Sequence, residues 1–157
     1  MKLNFYKSIS LTILFVFLCS CSEQNKLERE VKYREEKISQ VANSPRDSKK
    51  ENLLLLETYE DYINQFPNSQ KSLEYGIRSA KIWVKLGKPN KAVKTINKLA
   101  QAFPNHPRTA EALLFKAFIA TEKLKQMKTA EDTYKEIILR FPKTQAAAQA
   151  NTLLQTP

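Results

Sequence analysis

A Phe-Pro pair occurs three times in this chain, as Phe66-Pro67, Phe103-Pro104 and Phe141-Pro142. The successive pairs lie 37 and 38 residues apart. A fixed period in this range predicts a repeat architecture in which each unit is a pair of helices. Because proline lacks an N–H and clashes inside a helix, each pair also marks where one helix ends. The sequence therefore predicts an all-α solenoid of antiparallel helix pairs.

Polar residues that can cap a new helix follow each Phe-Pro pair. Ser69, His106 and Thr144 stand at equivalent places, where a side chain can accept a backbone N–H. In the middle of the first repeat, Gly87 is interpreted as a helix stop and Asn90 as the cap of the next helix. These signals predict one helical domain at 49–157, divided into a half repeat at 49–67, repeats at 69–104 and 106–142, and a capping helix at 144–155.

Small and aromatic residues recur in a fixed order inside the two full repeats. Ahead of Pro104 and Pro142 they are Ala80, Trp83, Ala92, Ala130 and Tyr134. Over about residues 50–155, this pattern resembles the tetratricopeptide repeat (TPR) family, although Ala120 replaces an expected aromatic residue. The resemblance implies a non-catalytic protein whose first helices line a concave groove. It also places Trp83 in the core between the helices.

The groove implied by the resemblance is assigned by helical phase. Its predicted members are Ile77, Lys81, Val84, Lys85, Leu114, Phe118 and Thr121, with Glu74, Glu111 and Glu122 beside them. Apolar side chains interleaved with charge suit an amphipathic segment of a partner protein. The alternative is that neighbouring helices cover the apolar members.

The first twenty residues are interpreted as a targeting segment. Lys2 and Lys7 precede an apolar run at 9–19, which is too short to span a bilayer. The run ends in Leu18-Cys19-Ser20-Cys21, which resembles the bacterial lipobox. That resemblance implies a signal peptide at 1–20 and a Cys21 that carries a diacylglyceryl group and an N-acyl chain. No other cofactor and no metal are expected, because His106 has no cysteine or carboxylate at metal-ligand spacing. An ordinary signal peptide or a retained membrane anchor remains the alternative.

The residues after Cys21 bear on location. Ser22-Glu23 lacks the aspartate that often retains lipoproteins in the inner membrane, so the expected place is the outer membrane, on its periplasmic face. The chain resembles the TPR lipoprotein of the outer-membrane β-barrel assembly machinery and the TPR domain of the periplasmic cell-division coordinator. It has fewer repeats than the first and a shorter coil than the second. The expected partners are therefore envelope proteins in general, not nucleic acid or a small-molecule substrate.

Residues 21–48 form a highly charged segment with two open interpretations. Leu27, Val31 and Ile38 have the spacing of a short amphipathic helix, and the sequence around Pro45 breaks that pattern. The favoured interpretation is a solvated tether, helical in part.

Charge is concentrated in one repeat. The full chain has a net charge of +10, and no acidic residue lies between Tyr75 and Ala110. The basic residues chosen as a candidate patch are Arg78, Lys81, Lys85, Lys88, Lys91, Lys94 and Lys98. The stretch 78–108 therefore suggests an alternative function, the binding of an anionic envelope polymer or lipid. The remaining interpretation is a solvated face that aids solubility.

Overall fold

The computed structural model describes residues 22–155, and within that range it contains helices and no strand. The helices are α1 (22–40), α2 (Pro45–Gln65), α3 (Gln70–Lys85), α4 (Pro89–Ala102), α5 (Pro107–Glu122), α6 (Met127–Arg140) and α7 (Gln145–Gln155). The predicted all-α class is confirmed. The predicted signal peptide and Cys21 lie outside the described residues. Of the described helices, none combines the length and the apolar character needed to cross a membrane.

The chain divides into two compact units, the first extending to Thr58 and the second beginning at Tyr59. In the first unit, α1 is joined to the start of α2 by Arg34. Its Nε lies 2.8 Å from Glu30 on α1, and its Nη1 lies 3.4 Å from Glu51 on α2. Val31 is only 2% exposed. The segment favoured as a solvated tether is therefore helical at 22–40, because a buried valine and a long-range ion pair hold it.

The start of α2 differs from the expected boundary at residue 49. Ser44 donates its hydroxyl to Asp47 Oδ2 at 2.6 Å and accepts the Asp47 N–H at 3.5 Å. Pro45 opens the helix, where its missing N–H costs nothing. The expected break is present, because α1 ends at residue 40, and Pro45 then starts α2. The predicted half repeat at 49–67 is also divided, because the boundary between the two units falls inside it.

An aromatic cluster joins the end of α2 to α3 in the second unit. Tyr59 stacks on Tyr75 with ring centroids 4.9 Å apart, and Tyr62 meets Tyr75 edge-on, also at 4.9 Å. All three rings are buried. Aromatic pairs in these arrangements stabilise beyond the area that they bury, so this cluster fixes how α3 begins the repeat stack.

The three predicted caps all accept a backbone N–H. Ser69 Oγ and His106 Nδ1 each accept from the residue two positions later, and Thr144 Oγ1 accepts from the residue three positions later, each at 3.2 Å. These bonds satisfy N–H groups that the first turn of a helix leaves unpaired. The local chemistry after each Phe-Pro pair thus starts α3, α5 and α7.

The turns inside the repeats use a left-handed residue. Gly87 has φ +69° and Lys125 has φ +55°. Glycine adopts this backbone conformation without strain. At Lys125 the β-carbon makes the same conformation unfavourable. Helix α4 begins at Pro89 with Lys88 as its N-cap. Asn90, which the sequence predicted as the cap, therefore lies within the helix.

Consecutive helices pack against one another from α3 to α7, and the first helices also meet, α3 with α5 and α5 with α7. Small buried residues at the crossings allow close approach: Ala80, Ala92, Ala110, Ala117, Ala130 and Ala150. This stack leaves one side of α3, α5 and α7 facing a common groove.

Candidate binding groove

A groove of about 920 Å³ lies within the second unit, between side chains of α3, α5, α6 and α7. Its apolar lining includes Ile77, Leu114, Phe115, Phe118, Met127, Tyr134, Leu153 and Leu154. The charged side chains at its edges are Lys81, Arg108, Glu111, Glu122 and Glu131. The groove is thus an apolar surface with both signs of charge around it.

Phe118 is the most prominent ring in the groove. It stacks on Phe115 with centroids 6.2 Å apart and remains 48% exposed. Met127 and Leu153 are also exposed, at 65% and 47%. Large apolar side chains that converge and stay open to solvent are typical of binding grooves rather than of a sealed core.

Two charged side chains of the rim are open to a ligand. Lys81 on α3 and Glu122 at the end of α5 are both exposed, and neither forms an ion pair with another described residue. Arg108 differs, because its guanidinium lies 4.0 Å from Glu74 and 3.8 Å from Glu111. Lys81 and Glu122 can therefore select a segment that carries an opposite charge at each place.

Glu131 is engaged within its own helix. The hydrogen bond and the charge of Lys135 hold the pKa of the Glu131 carboxyl below its ordinary value. This group stays ionised at neutral pH, and Lys135 compensates its negative charge.

Tyr134 lines the groove, and the pKa of its phenol is raised above the ordinary value. Burial raises the pKa of its phenol, a hydrogen bond with Thr121 lowers it, and the nearby Glu122 carboxylate raises it. The net direction is upward, because a phenolate in this place would be both desolvated and close to a negative charge. Tyr134 is therefore a neutral hydrogen-bonding group at physiological pH.

Five of the seven groove residues assigned from the sequence line this groove: Ile77, Lys81, Leu114, Phe118 and Thr121. Ile77 is nearly covered by its neighbours, as the alternative interpretation expected for the apolar members, whereas Phe118 is open. The other two residues do not line it. Val84 packs partly buried against the core, and Lys85 is exposed at the end of α3.

Several lining residues escaped the sequence assignment. Phe115, Met127, Leu153 and Leu154 all contribute apolar surface. The period itself carried a signal for one of them, because Leu153 stands 38 residues after Phe115. Met127 carried no such signal, since it comes from the second helix of its repeat.

The structure separates the basic residues that the sequence grouped together. Arg78 forms an ion pair with Glu74, and Lys81 lies in the groove. Lys91, Lys94 and Lys98 are exposed on α4, away from the groove lining. The candidate patch is therefore several surfaces rather than one.

Within residues 22–155, no three His, Cys, Asp or Glu side chains come together in a group that could hold a metal ion. His106 uses its Nδ1 as the cap of α5.

The tetratricopeptide repeat family matches residues 77–106, a span that covers most of α3, all of α4 and the turn to His106. This chain contains a tetratricopeptide repeat. The match agrees with the helix pair and groove described above, so the predicted TPR-type solenoid is confirmed. Among curated proteins, none matches the chain. TPR units generally mediate protein–protein interaction and are typically non-catalytic, which supports protein partners in a general sense.

Proposed function

We propose that this TPR protein is a non-catalytic scaffold that holds a segment of another protein in the groove of its second unit. The observation that carries this proposal is the half-exposed Phe118, which stacks on Phe115 in a groove that the exposed Leu153 and Met127 also line. Covering these side chains would remove apolar surface from water at about 25 cal/mol for each Å². In the free protein these side chains remain exposed to water, so a partner that buries them would be stabilised by this apolar contact.

The charges of the rim define the segment that would fit. An amphipathic helix or strand would place apolar side chains against Leu114 and Phe118, an acidic group near Lys81 and a basic group near Glu122. Rim charges of this kind contribute mainly to orientation and association rate. The proposed occupant is thus an amphipathic segment of mixed charge.

The proposed setting is the bacterial cell envelope. Leu18-Cys19-Ser20-Cys21 supports lipidation at Cys21, and Ser22-Glu23 supports an outer-membrane location, with the periplasmic face preferred. Two or more acyl chains hold a protein stably at a membrane. Outer-membrane protein assembly and the coordination of the envelope with division are the processes suggested by the sequence resemblance.

Photo-crosslinking in intact envelopes tests the groove. A photoreactive residue replaces Met127, and crosslinked partners are compared between the otherwise unchanged chain, Phe118→Glu and Leu139→Glu. Leu139 is 82% exposed on α6 outside the groove, so it controls for an apolar-to-acidic change. We expect Phe118→Glu to abolish a crosslink to another envelope protein and Leu139→Glu to retain it. Equal crosslinking in both variants, or crosslinks only to a second copy of the chain, would refute the scaffold proposal.

Membrane fractionation tests the anchor separately. We expect Cys21→Ala to leave an unprocessed precursor or a soluble protein, because the acyl chains are the proposed attachment. Processed Cys21→Ala protein that remains firmly in the membrane fraction would contradict lipidation. A sucrose gradient then distinguishes the outer from the inner membrane.

A further inference from the structure

Helix α4 carries a row of lysines that the groove does not use. Lys91, Lys94 and Lys98 are separated by three and four residues, so they lie on one side of the helix. The buried residues Ala92, Ile96 and Leu99 lie on the other side. Together with Lys88 at the N-cap, these three lysines are called the α4 lysine surface.

Within the described part of the chain, no acidic side chain forms an ion pair with this surface. The sequence of α4 contains no Asp or Glu, and no ion pair within residues 22–155 involves Lys88, Lys91, Lys94 or Lys98. Two of these cations also stand at the N-terminal end of the helix, where the helix dipole is positive. The charge of α4 is therefore uncompensated from within the described chain.

Helix α6 makes the contrast clear, because it holds the equivalent place in the next repeat. Its basic residues Lys128, Lys135 and Arg140 each form an i,i+4 ion pair with a carboxylate of the same helix. The helical repeat does not itself require a bare basic face. Of the second helices of the two repeats, α6 carries carboxylates beside its basic residues and α4 carries none.

Trp83 fixes the lysines at one end of this surface. Lys91 Nζ lies 4.5 Å and Lys88 Nζ 5.6 Å from the centroid of the Trp83 ring. Cation–π contacts of this kind hold an ammonium group without removing its charge. The ring thus orders two cations that remain available to an external anion.

We propose that the α4 lysine surface docks the second unit on anionic phospholipid headgroups. The exposed residues on this side of α4 include Asn90, Asn97 and Gln101 besides the lysines, and none of the large exposed apolar side chains lies on α4. A polar, cationic helix side fits a plane of phosphates and would adsorb without inserting into the acyl chains. The proposed function supports lipid over a soluble polyanion in one respect, since an anchor at Cys21 would keep α4 near a bilayer.

Vesicle partitioning tests the inference with the full chain. Binding is compared between phosphatidylcholine vesicles and phosphatidylcholine vesicles that contain phosphatidylglycerol, so that attachment by the N-terminal segment cancels in the ratio. We expect phosphatidylglycerol to strengthen partitioning at low salt and to lose most of this effect at high salt. Each lysine near an anionic surface strengthens adsorption roughly fivefold, so Lys91→Gln/Lys94→Gln/Lys98→Gln should lower the ratio by on the order of a hundredfold.

Two matched variants control for net charge and for folding. Lys123→Gln/Lys125→Gln/Lys143→Gln removes the same number of exposed lysines elsewhere and should keep the preference for phosphatidylglycerol. Lys91→Arg/Lys94→Arg/Lys98→Arg keeps the charge on α4 and should also keep it. Equal losses in the two glutamine variants would overturn the inference, because net charge alone would then explain the binding.

Trp83 provides a local readout, because it is the only tryptophan of the chain. We expect phosphatidylglycerol vesicles to change its fluorescence emission and neutral vesicles to leave it unchanged. Binding of soluble polyglutamate that depends on the α4 lysines, without any preference among vesicles, would replace lipid by polymer and overturn the inference. Neither result depends on Cys21 or on Phe118, so this failure and a failure of the proposed function can be told apart.

Discussion

Gly76 on α3 faces the side chain of Leu99 on α4. A β-carbon added at Gly76 would come within 2.5 Å of Leu99 Cδ2 and 2.8 Å of Leu99 Cδ1. Both distances are shorter than van der Waals contact, and Leu99 is buried. The absence of a side chain at residue 76 therefore sets how closely the two helices of the first repeat approach.

Gly76→Ala tests this contact in a mutant cycle with Leu99→Ala. Alanine gains about 1 kcal/mol of helix propensity over glycine, whereas overpacking costs about 1–3 kcal/mol. We expect a net loss of stability for Gly76→Ala in urea denaturation. Leu99→Ala makes room for the new methyl group, so the double variant should lose less than the two single losses together. Additivity within about 0.5 kcal/mol would show that the two side chains do not compete for space.

Trp83 should contribute less than a core tryptophan. The sequence placed it between the helices, but it is only partly buried, with Lys88 and Lys91 over its ring. A fully buried tryptophan costs about 3–5 kcal/mol when truncated, so we expect about 2 kcal/mol for Trp83→Ala. Circular dichroism in urea measures this loss against Ile96→Ala, a fully buried position in α4. Equal or greater loss for Trp83→Ala would contradict its partial exposure.

Substitution by glutamate should affect stability very differently at Phe118 and at its neighbour Ile119. Phe118 is 48% exposed, whereas Ile119 is fully buried. Phe118→Glu should change the free energy of unfolding by no more than about 0.5 kcal/mol, as surface changes usually do. Ile119→Glu would bury a charge without a counter-ion and should prevent stable folding. Thermal melting of both variants checks the phase of α5, and unfolding by Phe118→Glu would show that this ring supports the core.

Tyr134 predicts a fall in stability at high pH. Since its pKa is raised in the folded state, the folded chain holds the phenolic proton to a higher pH than the unfolded chain. Stability should therefore be full below the ordinary tyrosine pKa of about 10 and should decline as pH rises through the folded value. Tyr134→Phe removes this contribution, so the difference in unfolding free energy between the two proteins should narrow above about pH 10. A constant difference would show that Tyr134 titrates normally.

The sequence alone determined where the helices of the second unit begin and end. The Phe-Pro pairs and the caps at Ser69, His106 and Thr144 act through bonds to residues only two or three positions away, so their effect is written in the local chain. The period of 37 and 38 residues then fixed the class of fold. Because such signals are local, they predict where helices begin and end without knowledge of long-range contacts.

Only the tertiary structure decided which surfaces those helices form. Arg108 approaches Glu74, which lies in another helix, and Arg34 reaches Glu51 from α1, so charges that look unpaired along the chain are neutralised in space. The same packing divided the basic stretch into a groove side and an α4 side, and it brought Leu153 into the groove that Phe118 lines. These relationships depend on the placement of whole helices, which is set by the summed packing of many small contacts rather than by any single stretch of sequence.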